Sequence, residues 1–311
     1  MRVVVTGGSG RLGRSLVTGL ADAGHELISI DRAPTAQLDQ DGVTQVSVDL
    51  SDADAAASAL AESHADALIH LAAIAVPFSA PEDVILRTNA GLAQAVLGGA
   101  VQAGIRRIVA ASSPTVIGYG CPRGWTPEHL PLDETSPLRP WNAYGLSKLL
   151  IEQTVAMLQR QTAGDVRFAS FRPCYVIAPE EWAGAPTQQG HTVQQRLDDP
   201  ALSAPALFNY VDARDVAAFA DTLLASLDDI PNGEVFFVGA EDALAREPLS
   251  DLLPRFHPGA ADAAAELTGS SPAFSSAKAA RLLGWRPARS WRDELAHPST
   301  PVANLVGSDR D

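Results

Sequence analysis

The chain reads as an α/β protein built on a doubly wound parallel sheet, with a smaller unit on its C-terminal side. Three observations carry this reading. Short apolar, often β-branched runs recur without polar alternation, so their strands are buried on both faces. Between them lie segments with apolar residues at helical spacing, the alternation expected of crossover-connected parallel strands. The length of 311 residues, 46% of them hydrophobic, is enough for one large core with a small one beside it.

Residues 2–5 are a β-branched run ended by Gly7 and Gly8, and residues 11–23 place Leu12, Leu16 and Leu20 on one helical face before Gly24. Strands follow at 27–30 and 43–48, then an alanine-rich helix at 52–62 and a fourth strand at 67–70. A long helix at about 81–103, a strand at 107–111, a helix at 143–161 and a strand at 166–171 continue the pattern. From 179 to 205, Pro, Gly, Gln and Ala dominate, which predicts an irregular, lid-like loop. Helix resumes over 210–227 and strand over 234–238. Residues 1–173, with 211–238 returning to them, are thereby assigned to the sheet domain. Residues 174–210 and 239–296 form the smaller region, and 297–311 a flexible polar tail.

A net charge of -14 and a pI near 4.8 argue against a nucleic-acid surface, which needs clustered Lys and Arg. Cys121 and Cys174 are the only cysteines and lie far apart, so neither a disulfide framework nor a metal site is indicated. No charged leader precedes the first strand, and no apolar run approaches the ~18 residues that span a bilayer. A soluble, cytoplasmic protein without membrane contact is expected.

The stretch Thr6-Gly7-Gly8-Ser9-Gly10-Arg11-Leu12-Gly13 lies between the first strand and first helix. Glycines at 7, 10 and 13 let the backbone turn tightly and meet a pyrophosphate at the helix N-terminus. Asp31 ends the second strand, 24 residues after Gly7, where a carboxylate can accept both ribose hydroxyls and repel a 2′-phosphate. That favours NAD over NADP, although the adjoining Arg32 could instead pair with such a phosphate. Asp49, after the third strand, is placed to face adenine, with Ser51 the better N-cap for the next helix. Tyr144 and Lys148 stand four residues apart on a predicted helix, hence on one face, where an ammonium beside a phenol lowers its pKa. Ser112 and Ser113 follow the fifth strand, at the sheet edge where a nicotinamide would lie.

Together, T-G-x-x-G-x-x-G, Asp31, the S-x-x-V-x-G segment and Y-x-x-x-K resemble the extended short-chain dehydrogenase/reductase (NAD-dependent epimerase/dehydratase) family across nearly the whole chain. His70-Leu71-Ala72-Ala73, Asn89, Phe171-Arg172-Pro173, Tyr210-Val211-Asp212 and Leu283-Gly284-Trp285 agree with it. The resemblance implies a Rossmann-type NAD site, a small-molecule substrate and a homodimer formed through the helices that hold Asn89 and Tyr144. It implies Tyr144 as general acid/base, Lys148 as its activator and ribose ligand, and Ser113, three residues before Val116, as the group orienting the reacting oxygen. The implied cofactor-binding set is Gly7, Gly10, Arg11, Leu12 and Gly13, Asp31 and Arg32, Asp49 and Leu50, Leu71, Ala72 and Ala73, Asn89, Tyr144, Lys148 and Pro173. No metal is implied.

The departures narrow the chemistry. Family dehydratases carry Asp-Glu where this chain has Pro114-Thr115, which removes their acid and base. Phe208 stands where family epimerases place a diphosphate-clamping arginine, against a nucleotide-sugar substrate. With Ile117, the S-S-x-x-V-I-G form is more similar to the family's uronate dehydrogenases. Arg172 and Arg214 are candidates to meet an anion, the latter set against a structural pair with Asp215. Glu180, Glu181, Trp182 and 188–191 are placed over the substrate. The expected activity is NAD-dependent hydride transfer at a secondary alcohol of a sugar-like or polar small molecule. A redox-neutral epimerase and a non-catalytic dinucleotide-sensing module are the alternatives.

Overall fold

The computed structural model describes residues 1–296, so the tail expected at 297–311 lies outside the described residues. Its strands are β1 (Arg2–Thr6), β2 (Glu26–Asp31), β3 (Val43–Ser47), β4 (Ala67–His70), β5 (Arg107–Ala111), β6 (Arg167–Pro173), β7 (Val176–Ile177), β8 (Val211–Asp212) and β9 (Glu234–Val238). Seven pair in parallel in the order β3-β2-β1-β4-β5-β6-β9. The winding reverses between β1 and β4, and that reversal opens a crevice at the strand C-termini.

Helices cover both faces, as the continuous apolar strands require. On one side α1 (Arg11–Asp22) packs on α7 (Ala213–Ser226), burying Leu16, Val17 and Leu20 with Phe219 and Leu223. On the other, α2 (Ala53–Ser63), α3 (Glu82–Gln102) and α4 (Ala143–Gln161) bury Leu60, Val96, Leu97, Ile151 and Val155 against the sheet. By length and composition alone α3 could cross a membrane, contrary to the expectation that no run would; here it packs between α2 and α4.

Three local expectations are corrected. The helix expected at 210–227 starts at Ala213, because Val211 and Asp212 pair with β7 and the Asp212 carboxylate accepts from the Arg214 amide. The N-cap of α2 is Asp52, whose Oδ1 accepts from the amides of Asp54 and Ala55, while Ser51 donates its amide and hydroxyl to Asp49. The segment expected to be an irregular lid carries α5 (Pro179–Trp182) and α6 (Val193–Asp198). It buries Trp182, Val193 and Leu197 against Tyr210 and Trp291 in a third apolar cluster. A capping box opens α6: the Gln195 amide donates to Thr192 Oγ1, and the Thr192 amide to Gln195 Oε1.

Phe219 is fully buried and meets Phe171, Phe236 and Trp285 with ring centroids 5.2–5.9 Å apart. This places it at the join between α7, the sheet and the C-terminal region. Phe219→Ala is expected to destabilise the fold by about 3–5 kcal/mol, read as a lowered urea midpoint.

Candidate active site

At the crevice, Gly7 adopts φ +75°, and its amide donates to Ile30 O at 2.9 Å, turning the chain out of β1. A Cβ at Gly7 would lie 2.8 Å from the Ala72 amide nitrogen, and one at Gly13 only 2.2 Å from the Gly7 carbonyl oxygen. Side chains are therefore excluded at both positions, and the N-terminus of α1 is left open to the crevice. Asp31 stands at the end of β2, where its Oδ2 accepts from the Ser9 amide at 3.1 Å and its Oδ1 from the Arg32 amide at 2.7 Å. Hydrogen bonds from Ser51 hold the Asp49 carboxyl below the usual range.

A cavity of about 1550 Å³ runs from this loop along the sheet edge. It exceeds the roughly 300–1,000 Å³ of a single-ligand pocket, so a dinucleotide and a second molecule can share it. Gly7, Gly10, Arg11, Leu12 and Gly13 line one end, with Asp31, Arg32, Asp49 and Leu50. Leu71, Ala72 and Ala73 line its middle, and Ser113, Tyr144, Lys148 and Pro173 its far part. Glycine-only backbone, a strand-end carboxylate and this volume fit a dinucleotide.

Asn89 is the exception. It is fully buried behind the cavity, binding the backbone of Ile74 and donating to Ser147 Oγ at 2.9 Å, which donates to Tyr144 O at 2.8 Å. Its side chain braces the loop after β4 against α4 rather than facing a cofactor.

Asn142 caps α4 by accepting from the Gly145 amide at 2.8 Å, which sets Tyr144 and Lys148 in its first two turns. Lys148 Nζ donates to Ala111 O at 3.0 Å and lies 5.8 Å from the Tyr144 ring centroid. The expected lowering of the phenol by the ammonium is not what this geometry produces. Burial pushes Tyr144 up to about 12, with a hydrogen bond to Ser113 pulling the other way, and burial pulls Lys148 down to about 8. Ser113 Oγ also accepts from Thr115 Oγ1 at 3.0 Å, whereas Ser112 donates to Lys148 O at 3.4 Å.

The two arginines held as anion candidates are occupied. Arg172 makes a buried bidentate pair with Glu152 at 2.8 and 2.9 Å, and Arg214 pairs with Asp212 at 2.6 Å and Glu294 at 2.8 Å. The partner of Asp215 is Arg289, not its neighbour Arg214. Over the substrate part, Gln188 and Gln189 line the cavity as expected, but Glu180, Glu181, Trp182 and His191 do not. Glu180 binds Arg14 at 2.9 Å and Glu181 meets Arg11, fastening α5 across α1, while Trp182 Nε1 donates to Asp212 of β8 at 2.7 Å. Tyr119, Trp141, Tyr175, Asn209 and His257 also line this part and had no motif to mark them.

Fold and site together define a nucleotide-cofactor enzyme of the short-chain dehydrogenase/reductase type. The chain belongs to the NAD dependent epimerase/dehydratase family, whose model matches residues 3–239, and its cofactor is NAD. It is 33% identical over 156 residues to a UDP-glucose 4-epimerase of Azospirillum brasilense, a match covering 49% of this chain and 43% of that one. It is 34% identical over 156 residues to an NAD-dependent glucose-6-phosphate dehydrogenase of Haloferax volcanii, covering 47% and 58%. The chain spans less than half the length of the UDP-glucose 4-epimerases it matches. Among solved structures, it resembles a short-chain dehydrogenase/reductase superfamily protein from Agrobacterium tumefaciens with bound NAD. That likeness has 25% identity, a TM-score of 0.69 and 95% coverage of each chain.

Two outcomes follow from this geometry. Gly13→Ala is expected to weaken NAD binding at least tenfold in a fluorescence titration, because the new methyl drives the Gly7 carbonyl off its position. His70 is buried behind the site with Nδ1 2.8 Å from Thr6 Oγ1, and burial, with the charge of Lys148, holds it down to about 3 from 6.5. Between these values the unfolded chain binds a proton that the native state refuses. Stability should thus fall as pH drops below 6.5, by up to about 1.4 kcal/mol per pH unit from this residue. Urea denaturation of the parent and His70→Asn proteins at pH 7 and 5 measures that share.

Proposed function

We propose that the protein is an NAD-dependent oxidoreductase acting at a secondary alcohol, or the corresponding carbonyl, of a sugar-like polar small molecule. The observation that carries this reading is the convergence of Ser113, Tyr144 and Lys148 on one cavity with the glycine loop and Asp31. The loop would hold the pyrophosphate, Asp31 the adenosine ribose, Lys148 the nicotinamide ribose and the backbone after Pro173 the carboxamide. NAD, when bound, would supply the hydride acceptor. Ser113 donates to the substrate oxygen and orients it toward Tyr144, which exchanges the proton on that oxygen. With its pKa near 12 in the unliganded cavity, the Tyr144 phenol rests protonated and is set to donate.

The walls beyond Tyr144 support a polyhydroxylated substrate. Aromatic Trp141, Tyr175 and Tyr119 line them together with the amide residues Gln188, Gln189 and Asn209. Phe208, fully buried with its ring 6.0 Å from that of Phe256, contributes no charge for a nucleotide diphosphate. The names of the matched 4-epimerases favour a second reading, redox-neutral epimerisation with retained NAD. Net NADH formation with a turned-over substrate decides against it. A homodimer through α3 and α4 is supported by Leu146 and Leu150, exposed one turn apart on α4.

Tyr144→Phe is expected to lower kcat by about 10²–10⁴-fold while NAD affinity stays within twofold. The assay follows NADH with a panel of free sugars, sugar acids and nucleotide sugars. Undiminished turnover in that variant would remove Tyr144 from the chemistry.

A further inference from the structure

Arg196 on α6 is the largest fully buried side chain described, only 1% exposed, yet no carboxylate among the described residues pairs with it. Its Nη1 donates to the amide oxygen of Gln189 at 2.7 Å, and its Nε has no partner among the described residues. The guanidinium stacks 4.3 Å from the ring centroid of Tyr175, whose own buried hydroxyl also lacks a partner among the described residues. Tyr175 and Gln189 both line the cavity, so a cation and an unsatisfied hydroxyl stand immediately behind its wall.

Three other buried or half-buried arginines do not behave in this way. Arg172 is held bidentately by Glu152, Arg214 by two carboxylates and Arg289 by Asp215. A guanidinium removed from water without an anion is unfavourable, and stacking on one tyrosine offsets only part of that. A neutral amide oxygen in its donor fork is the weaker form of an interaction that a carboxylate or phosphate makes bidentately.

We propose that Arg196, with the Tyr175 hydroxyl as a second donor, recognises an anionic substituent of the substrate, a carboxylate or a phosphate. Gln189 occupies the donor fork until the anion displaces it. The inference rests on the reading that this cavity takes the substrate, and it narrows that substrate to an acidic one. The charge removed from the wall by Phe208 is thereby supplied from a different element, α6.

The test is binding without turnover. NAD-saturated protein is titrated calorimetrically with glucuronate, glucose 6-phosphate and UDP, with glucose as the uncharged control. At least one anion is expected to bind some 10- to 100-fold more tightly than glucose, the range of a charge-assisted hydrogen-bond pair. Which anion it is identifies a sugar acid, a sugar phosphate or a nucleotide as the source. Arg196→Met is expected to abolish the preference without lowering the thermal midpoint, since it replaces an uncompensated buried charge by an apolar chain. Arg196→Lys, which keeps the charge but not the planar fork, is expected to retain the fold and lose most of the preference. Anions binding no more tightly than glucose, a preference that persists in Arg196→Met, or one undiminished in Arg196→Lys, overturns the proposal. Tyr144→Phe should leave the anion preference intact, so failure of the catalytic reading and failure of this one are seen separately.

Discussion

The close approach of Gly13 to the Gly7 carbonyl is the constraint on which the molecule turns. Because no Cβ stands at either residue, α1 begins directly against the end of β1, and its free amides open into the crevice where the sheet reverses its winding. Two further contacts depend on this placement. Asp31 reaches the Ser9 amide only because the loop closes over the end of β2, and Arg14 reaches Glu180 only because α1 starts there. The segment after β7 is thus fastened to the glycine loop, and the outer wall of the cavity is held in register with its floor.

Charge is handled differently on the two sides of that wall. In the frame, buried cations are neutralised in place, as Arg172 is by Glu152, and the pair ties α4 to β6 beneath the reactive end. At the site, Lys148 has a backbone carbonyl and Arg196 an amide oxygen where each could have had a carboxylate. The ion pairs of the frame are complete without a ligand, whereas Lys148 and Arg196 have no carboxylate partner among the described residues; Arg11, at the cofactor end, is met by Glu181.

The parts of the protein legible in the sequence are those governed by local rules. Residues 67–70, 107–111, 143–161 and 234–238 coincide with β4, β5, α4 and β9 because apolar runs and spacing are short-range signals. The glycine loop and Asp31 were legible for the same reason: a turn and a strand end fix them within a few residues. What was not legible depends on tertiary packing. Trp182 resembled a substrate-facing aromatic and is in fact bonded to Asp212, thirty positions away. Asn89 belongs to a recognisable motif, but its contacts with Ile74 and Ser147 follow from how α3 lies against α4. Arg196 sits among Gln194, Gln195 and Asp198 and reads as part of a solvated face, since nothing local announces that α6 turns that side inward. The capping box that starts α6 was readable and would have argued against a loop.

The Tyr144–Lys148 pair shows why spacing alone does not specify electrostatics. An i,i+4 relation brings the two onto one face, but the same burial acts on both groups, raising the phenol to about 12 and lowering the ammonium to about 8. The two values move past one another, away from a phenolate–ammonium pair. Burial penalises either charge and so favours each neutral form, while the ammonium donates to Ala111 O. The chain's own residues therefore favour the protonated phenol of Tyr144, with the hydrogen bond to Ser113 acting in the opposite sense. Under the proposed activity, proton removal by Tyr144 would need positive charge beyond what the helix that carries it supplies.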